Sequence, residues 1–270
     1  MKLGISTYTY TWSIGVPGQM PAEPVSARAL LQQAANLQVD VLQMADNLPL
    51  HALPPAELDE FVTRAEQLGI AVEVGTRGIA PDHLRAYLAL AQRLHSPILR
   101  VVVDSPNHHP APREVVEILS PLRPAFEAAG VVLAIENHDR FTSPTLAGII
   151  EKLGREWTGV CLDTVNSFGA LEGPETVVET LGPLTVNLHV KDFTIFRASH
   201  RMGFTIEGRP AGQGRLDLPW LLGRLRAFGR DPNAILELWT PPEATLPETI
   251  AKEQKWAELS IAYLQEAIQH

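Results

Sequence analysis

Val132-Leu-Ala-Ile-Glu136 runs through apolar residues into a carboxylate, and the same shape returns as Gly159-Val-Cys-Leu-Asp163, Val186-Asn-Leu-His189 and Ala234-Ile-Leu-Glu237. Each reads as a short, buried parallel strand with a polar group at its C-terminal end. Such groups are costly to bury unpaired, so four that converge need something to neutralise them. A divalent cation does this best.

Working outward from these runs, eight strand-like segments are expected at 3–10, 39–45, 71–76, 98–104, 132–138, 158–164, 185–193 and 234–240. Amphipathic, Ala/Leu-rich stretches alternate with them at 25–37, 55–68, 80–94, 113–129, 143–154, 173–181, 217–228 and 246–267. Strict strand-then-helix alternation calls for parallel strands with helical crossovers, and eight such units closing on themselves make a (β/α)8 barrel. Gly69 and Gly130 fall where helices should end, and Pro81, Pro144, Pro174 and Pro219 where helices should start. A doubly wound open sheet is the alternative, but no Gly-x-Gly-x-x-Gly follows the first strand and there is no P-loop motif. Gly212-Gln-Gly214 reads as a turn. Residues 1–270 show no linker-like break and read as one domain.

Two connections are long: 11–24 after strand 1 and 194–216 after strand 7. Both leave C-terminal strand ends, where such barrels carry their chemistry, so each is a candidate lid or specificity loop. A surface excursion or an oligomer contact is the plainer alternative.

The 270 residues carry 22 basic and 31 acidic side chains, a net charge of −9, which argues against a broad nucleic-acid-binding face. Cys161 is alone, cannot form an internal disulfide and reads as a small core hydrophobe. The opening Lys2-Leu-Gly-Ile-Ser-Thr-Tyr8 has no basic region leading into an apolar one, and no apolar stretch reaches membrane-spanning length. The expectation is a soluble, unprocessed, cytoplasmic protein with no membrane or nucleic-acid partner.

Glu136, Asp163, His189 and Glu237 fall on strands 5 to 8, consecutive around one side of the barrel mouth. Because side chains alternate, Ala134, Cys161, Asn187 and Ile235 should point inward one layer below. Three carboxylates and an imidazole favour a hard divalent ion. Mn2+ is the first choice, with Mg2+, Co2+ or Zn2+ as alternatives, and an octahedral ion would keep about two positions open for one substrate. Each acid alone could instead be a salt-bridged rim residue.

Ile135-Glu136-Asn137-His138, Cys161-Leu162-Asp163-Thr164-Val165-Asn166, Leu188-His189-Val190-Lys191-Asp192 and Leu236-Glu237 resemble the sugar phosphate isomerase/epimerase superfamily, the xylose-isomerase-like TIM barrels. The resemblance spans the chain. In its ketose 3-epimerase branch it implies a metal on Glu136, Asp163, His189 and Glu237, with Glu136 and Glu237 transferring protons. Removing a proton beside a ketone needs the enolate charge stabilised, which a metal supplies. Strands 5 and 8 lie three steps apart around the ring, so the two glutamates could reach opposite faces of a sugar. Homodimerisation comes by analogy only.

His138 follows Glu136 on the same inward parity and is a candidate substrate contact, with a solvent-facing rim position as the alternative. Lys191 could hold a hydroxyl, carboxylate or phosphate, or pair with Asp192. Tyr8, Tyr10 and Trp12 could stack on a sugar or pack in the core. Arg197, His200, Arg201 and Arg209 could form an anion-attracting lid, Arg201 being the candidate substrate contact, or a solvated cluster. His108 and His109 could face the mouth or belong to a turn. Asn166 is also a candidate substrate contact. It departs from the pattern, because epimerases and the related endonucleases often carry histidine there, and Asn leaves the endonuclease three-zinc cluster incomplete.

The leading expectation is therefore a metal-dependent isomerase or epimerase acting on a ketose or keto-sugar derivative, a small-molecule substrate, through an enediolate. Beside it stand a keto-sugar or keto-acid lyase or dehydratase that begins with the same proton abstraction but expels a hydroxyl, an apurinic-site endonuclease, and a non-catalytic sugar-binding module.

Overall fold

The architecture, given by a computed structural model that describes residues 1–269, is the expected closed eight-stranded parallel barrel. In chain order its strands are β1 (Leu3–Ser6), β2 (Val41–Met44), β3 (Ala71–Arg77), β4 (Ile98–Val102), β5 (Val132–Glu136), β6 (Thr158–Asp163) and β7 (Thr185–Val190), closed by β10 (Asn233–Leu236). The antiparallel hairpin β8 (Asp192–Arg197) and β9 (Phe204–Arg209) lies between β7 and β10 in sequence and outside the barrel. β10 pairs with both β7 and β1, which closes the ring.

Helices α2 (Ala27–Asn36), α3 (Pro55–Leu68), α4 (Pro81–Arg93), α7 (Ser143–Leu153), α8 (Pro174–Leu181), α9 (Leu218–Ala227) and α10 (Leu246–Gln269) match the expected stretches within a few residues. Gly69 and Gly130 end helices in the left-handed conformation, at φ 67° and 65°. The expected helix 113–129 is instead α5 (Pro112–Leu119), a 3-10 turn and α6 (Arg123–Ala129). Pro121 and Pro124 each lack the N–H that a continuous helix would use.

Three further expectations shift. Strand 1 ends at Ser6 rather than residue 10, because the Ser6 hydroxyl accepts from Tyr8 N and starts a 3-10 turn over Thr7–Tyr10. Strand 7 stops at Val190. Asp192 turns away to accept backbone N–H bonds from Gly212, Gly214 and Leu216, at 2.9, 2.9 and 3.0 Å, which ties down the loop 210–216. The long segment 194–216 is therefore mostly hairpin, and at Gly208 a Cβ would sit 1.9 Å from the Trp239 carbonyl oxygen, so the hairpin lies directly against the exit of β10.

The segment 11–24 begins with a single turn, α1 (Thr11–Ile14), held by buried Glu253 of α10. Glu253 accepts from Trp12 N at 2.8 Å, Ser13 N at 3.0 Å and Ser13 Oγ at 2.7 Å. Burial pushes its carboxyl up to about 7, against the opposing pull of those three donors. The folded protein then binds this proton more tightly than the unfolded chain does, so stability falls as pH rises from the ordinary carboxylate value of 4.5 toward 7. Full ionisation costs about 3 kcal/mol. Urea unfolding at pH 5 and pH 8 should show wild type losing stability relative to Glu253→Gln across that interval; parallel pH dependences in the two proteins would refute the assignment.

Most of the apolar core lies between barrel and helices, with Trp157, Phe126, Leu99 and Leu119 among its buried side chains. Inside the barrel the apolar patch is small, Ile98, Ala134 and Cys161. The rest of the interior is largely polar. No helix among the described residues is long and apolar enough to cross a membrane.

Candidate active site

The strand registers bring the four ends together. Asp163 pairs with His189, Ile235 with His189 and Glu136 with Cys161, a stagger that follows the tilt of the barrel strands and converges Glu136, Asp163, His189 and Glu237 at the C-terminal mouth. All four are buried. His189 Nδ1 stands 3.5 Å from Glu136 Oε2, 3.8 Å from Asp163 Oδ2 and 3.4 Å from Glu237 Oε1.

The orientation of the imidazole is fixed from behind. Gln43 Nε2 donates to Glu73 Oε2 at 3.0 Å and to Asn187 Oδ1 at 3.1 Å, which leaves Gln43 Oε1 to accept from His189 Nε2 at 2.8 Å. Nδ1 therefore faces three carboxylate oxygens and has no hydrogen-bond partner of its own. Asp163, His189 and Glu237 offer donor atoms within 4.8 Å of one another, as do Glu136, Cys161 and His189. An orphaned imidazole nitrogen among hard oxygens suits a divalent cation, so these residues can hold one. Burial pushes the Cys161 thiol well up, with the nearby acids adding to the effect, which keeps it an inert thiol beside the cluster.

Two cations sit in the same cup, Arg100 buried and Lys191 with 14% of its side chain exposed. Lys191 Nζ lies 2.8 Å from Asp163 Oδ2 and 2.9 Å from Glu237 Oε2, not beside Asp192, which is committed to the loop 210–216. Arg100 Nε donates to Glu136 Oε2, and its Nη1 reaches Asp46 Oδ1 at 3.3 Å. Burial works against both charges, but the surrounding acids outweigh it and raise both groups. Burial likewise works to raise the Glu237 carboxyl, yet His189, Lys191 and Arg100 together hold it down at about 2. Ser6 Oγ donates to Glu237 Oε1 at 3.0 Å, and Asn166 Nδ2 to Glu136 Oε1 at 2.8 Å.

Of the expected substrate contacts, Tyr8, Asn166 and Lys191 line a cavity of about 300 Å3 above the cup, with Phe168, Leu238 and Trp239 as its apolar walls. Tyr8 donates to Asp46 Oδ2 at 3.1 Å. The other three candidates lie elsewhere. His138 stands partly exposed against Asp139, 2.5 Å away. Trp12 commits its indole N–H to the Thr240 carbonyl at 2.9 Å, and Arg201 is exposed at the turn of the β8–β9 hairpin. Tyr10 is buried, and His108 and His109 pair with Glu114 and Asp104.

Arg100, Gln43, Glu73 and Ser6 escaped the sequence reading. Their signal is present: Gln43, Glu73 and Arg100 interrupt otherwise apolar strands, as in Ile98-Leu-Arg100-Val and Val72-Glu73-Val74, and Ser6 ends one, all at the parity that points inward.

A family model described as xylose isomerase-like TIM barrel matches residues 26–266. A 3-oxo-isoapionate decarboxylase from Pectobacterium atrosepticum is 36% identical over 266 residues, 98% of this chain and 95% of the relative. Among solved structures, D-psicose 3-epimerase from Clostridium cellulolyticum H10 superposes with a TM-score of 0.72 at 17% identity, covering 100% of this chain and 99% of that one. A xylose isomerase-like TIM barrel protein from Mycobacterium smegmatis in complex with magnesium gives 0.68 at 14% identity, covering 96% of each chain. Those two likenesses concern the fold. With the family model spanning most of the sequence and the decarboxylase matching it nearly end to end, the chain belongs to the xylose isomerase-like TIM barrel family.

Proposed function

We propose that the protein is a divalent-metal-dependent lyase that decarboxylates a β-keto sugar acid, with Mn2+ as the cation on Glu136, Asp163, His189 and Glu237. The observation that carries this reading is that both glutamates are paired with cations, Glu136 with Arg100 and Glu237 with Lys191. A two-base epimerase must have one carboxyl protonated to return a proton, whereas the charges around Glu237 hold it as an anion and Arg100 Nε occupies Glu136 Oε2. Decarboxylation needs no base. The bond from the α-carbon to the carboxylate breaks, its electron pair moves toward the ketone, CO2 leaves, and one proton replaces it on carbon.

Bound to these four residues, the metal supplies a Lewis acid for the ketone oxygen. The chain's own groups supply the rest. Lys191, which lines the cavity, holds the protons nearest the substrate and delivers one to the carbon that loses CO2; an enolate carbon is a far stronger base than the carboxylates around this ammonium. Asn166, 3.4 Å from Lys191 Nζ and bonded to Glu136, orients a substrate hydroxyl. Phe168, Leu238 and Trp239 favour uncharged CO2 over the carboxylate it came from. The decarboxylase relative supports the substrate class.

The isomerase or epimerase reading keeps one observation in its favour, the position of Glu136 and Glu237 on either side of His189 at 3.5 and 3.4 Å. The Mn2+-loaded protein should be incubated in D2O with a panel of β-keto sugar acids and of ketoses. Release of one CO2 per molecule, with one deuterium at the carbon that bore the carboxylate, is the expected result. Deuterium exchange into a ketose without mass loss, and no CO2 from any acid, would return the protein to the isomerases.

A further inference from the structure

Below the four metal-facing groups, beside the apolar patch of Ile98, Ala134 and Cys161, lies a buried polar cluster built around a carboxylate. Glu73 is buried inside the barrel, and its partners are three amides: Gln43 Nε2 at 3.0 Å and Asn187 Nδ2 at 2.9 Å on Oε2, and Asn233 Nδ2 at 2.7 Å on Oε1. None of its hydrogen-bond partners among the described residues is Lys, Arg or His. A carboxylate accepts and does not donate, whereas an amide offers either end. Glu73 is therefore the one member of this network whose polarity is not negotiable.

That polarity propagates upward. Glu73 draws the NH2 ends of Gln43 and Asn187 toward itself, so Gln43 must present Oε1 to His189 and His189 must keep its Nε2 proton, which makes Nδ1, facing Glu136, Asp163 and Glu237, the nitrogen whose lone pair a cation can take. With Gln43 reversed, its NH2 would face Nε2 and push the imidazole proton to Nδ1, where it blocks the metal-facing atom. We propose that Glu73, acting through Gln43, is a positioning residue that sets the tautomer of His189 and thereby the affinity of the site for a divalent cation. This rests on the metal-holding role of His189. Groups behind a metal-binding histidine commonly change affinity by about 10–100-fold.

The test uses the full chain stripped of metal and titrated calorimetrically with Mn2+, in wild type, Glu73→Met and Glu73→Gln. Glu73→Met removes the acceptor and lets Gln43 and Asn187 reverse together, so Mn2+ affinity should fall about 10–100-fold. In Glu73→Gln the new amide can turn its oxygen to Gln43 and Asn187 and its NH2 to Asn233, so affinity should stay within about threefold of wild type. Wild-type affinity in a folded Glu73→Met, or a folded Glu73→Gln as weak as Glu73→Met, overturns the proposal. Should Glu73→Met not fold, 15N NMR of the Zn2+-loaded wild type decides: a protonated Nε2 on His189 is expected, and a protonated Nδ1 overturns the proposal. No binding of Mn2+ or Zn2+ by wild type would overturn the metal-holding role itself, and with it this assignment.

Discussion

Replacing Lys191 by methionine should lower the turnover number for CO2 release by about 10²–10⁴-fold, the usual contribution of a positioned proton donor. The reason is positional: Lys191 Nζ sits between Asp163 and Glu237 at 2.8 and 2.9 Å, and Lys191 lines the cavity. Lys191→Arg should not restore the rate, because a guanidinium is bulkier and releases its proton less readily. Metal affinity should move the opposite way. Removing a cation that shares two carboxylates with the metal should tighten Mn2+ binding, by about tenfold for a charge at this range in a partly screened site. Steady-state CO2 release and calorimetric Mn2+ titration on the same preparations separate these effects. A Lys191→Met variant within twofold of the wild-type turnover number would take Lys191 out of the proton transfer, whatever its metal affinity.

The barrel was legible in the sequence because its signals are local and repeated. Alternating strand and helix patterns, Gly69 and Gly130 at helix ends and prolines at helix starts all pointed to one topology. Where the structure departs from the local pattern, a side chain overrides it. The Ser6 hydroxyl ended β1 early by bonding Tyr8 N, and Asp192 left strand 7 to anchor the loop 210–216. The four strand-end groups were legible for the same reason, as polar residues at regular places in apolar runs. Which cations they meet was not. Arg100 contacts Glu136 only because β4 and β5 pair with Arg100 opposite Ala134, and Gly75 on β3 leaves the guanidinium stem room, a Cβ there lying 3.3 Å from Arg100 Cδ. Gln43 meets His189 across the barrel, 146 residues away in sequence. Contacts of that kind depend on barrel closure and strand stagger, which no local window contains.

The same closure makes Arg100 the residue on which the metal-free site depends most for stability. Arg100→Met should cost the metal-free protein about 3–5 kcal/mol, because it leaves Glu136 buried without its cation and removes the link to Asp46. For a chain of this length that is a fall of roughly 10 °C in Tm. Saturating Mn2+ should narrow the gap, since a cation bound at Glu136 takes over part of the neutralisation, and the gain in Tm on adding Mn2+ should therefore be larger in the variant than in wild type. Arg100→Lys keeps the charge but cannot span Glu136 and Asp46 with separate nitrogens of one planar group, so it should recover only part of the loss. Thermal unfolding of the three proteins with and without Mn2+ tests this directly. A metal-free Arg100→Met that unfolds within about 1 kcal/mol of wild type, or a gap that widens with Mn2+, would mean that Glu136 does not depend on Arg100 for its buried charge. Narrowing by the metal alone would instead show that Arg100 and the divalent ion neutralise the same carboxylate.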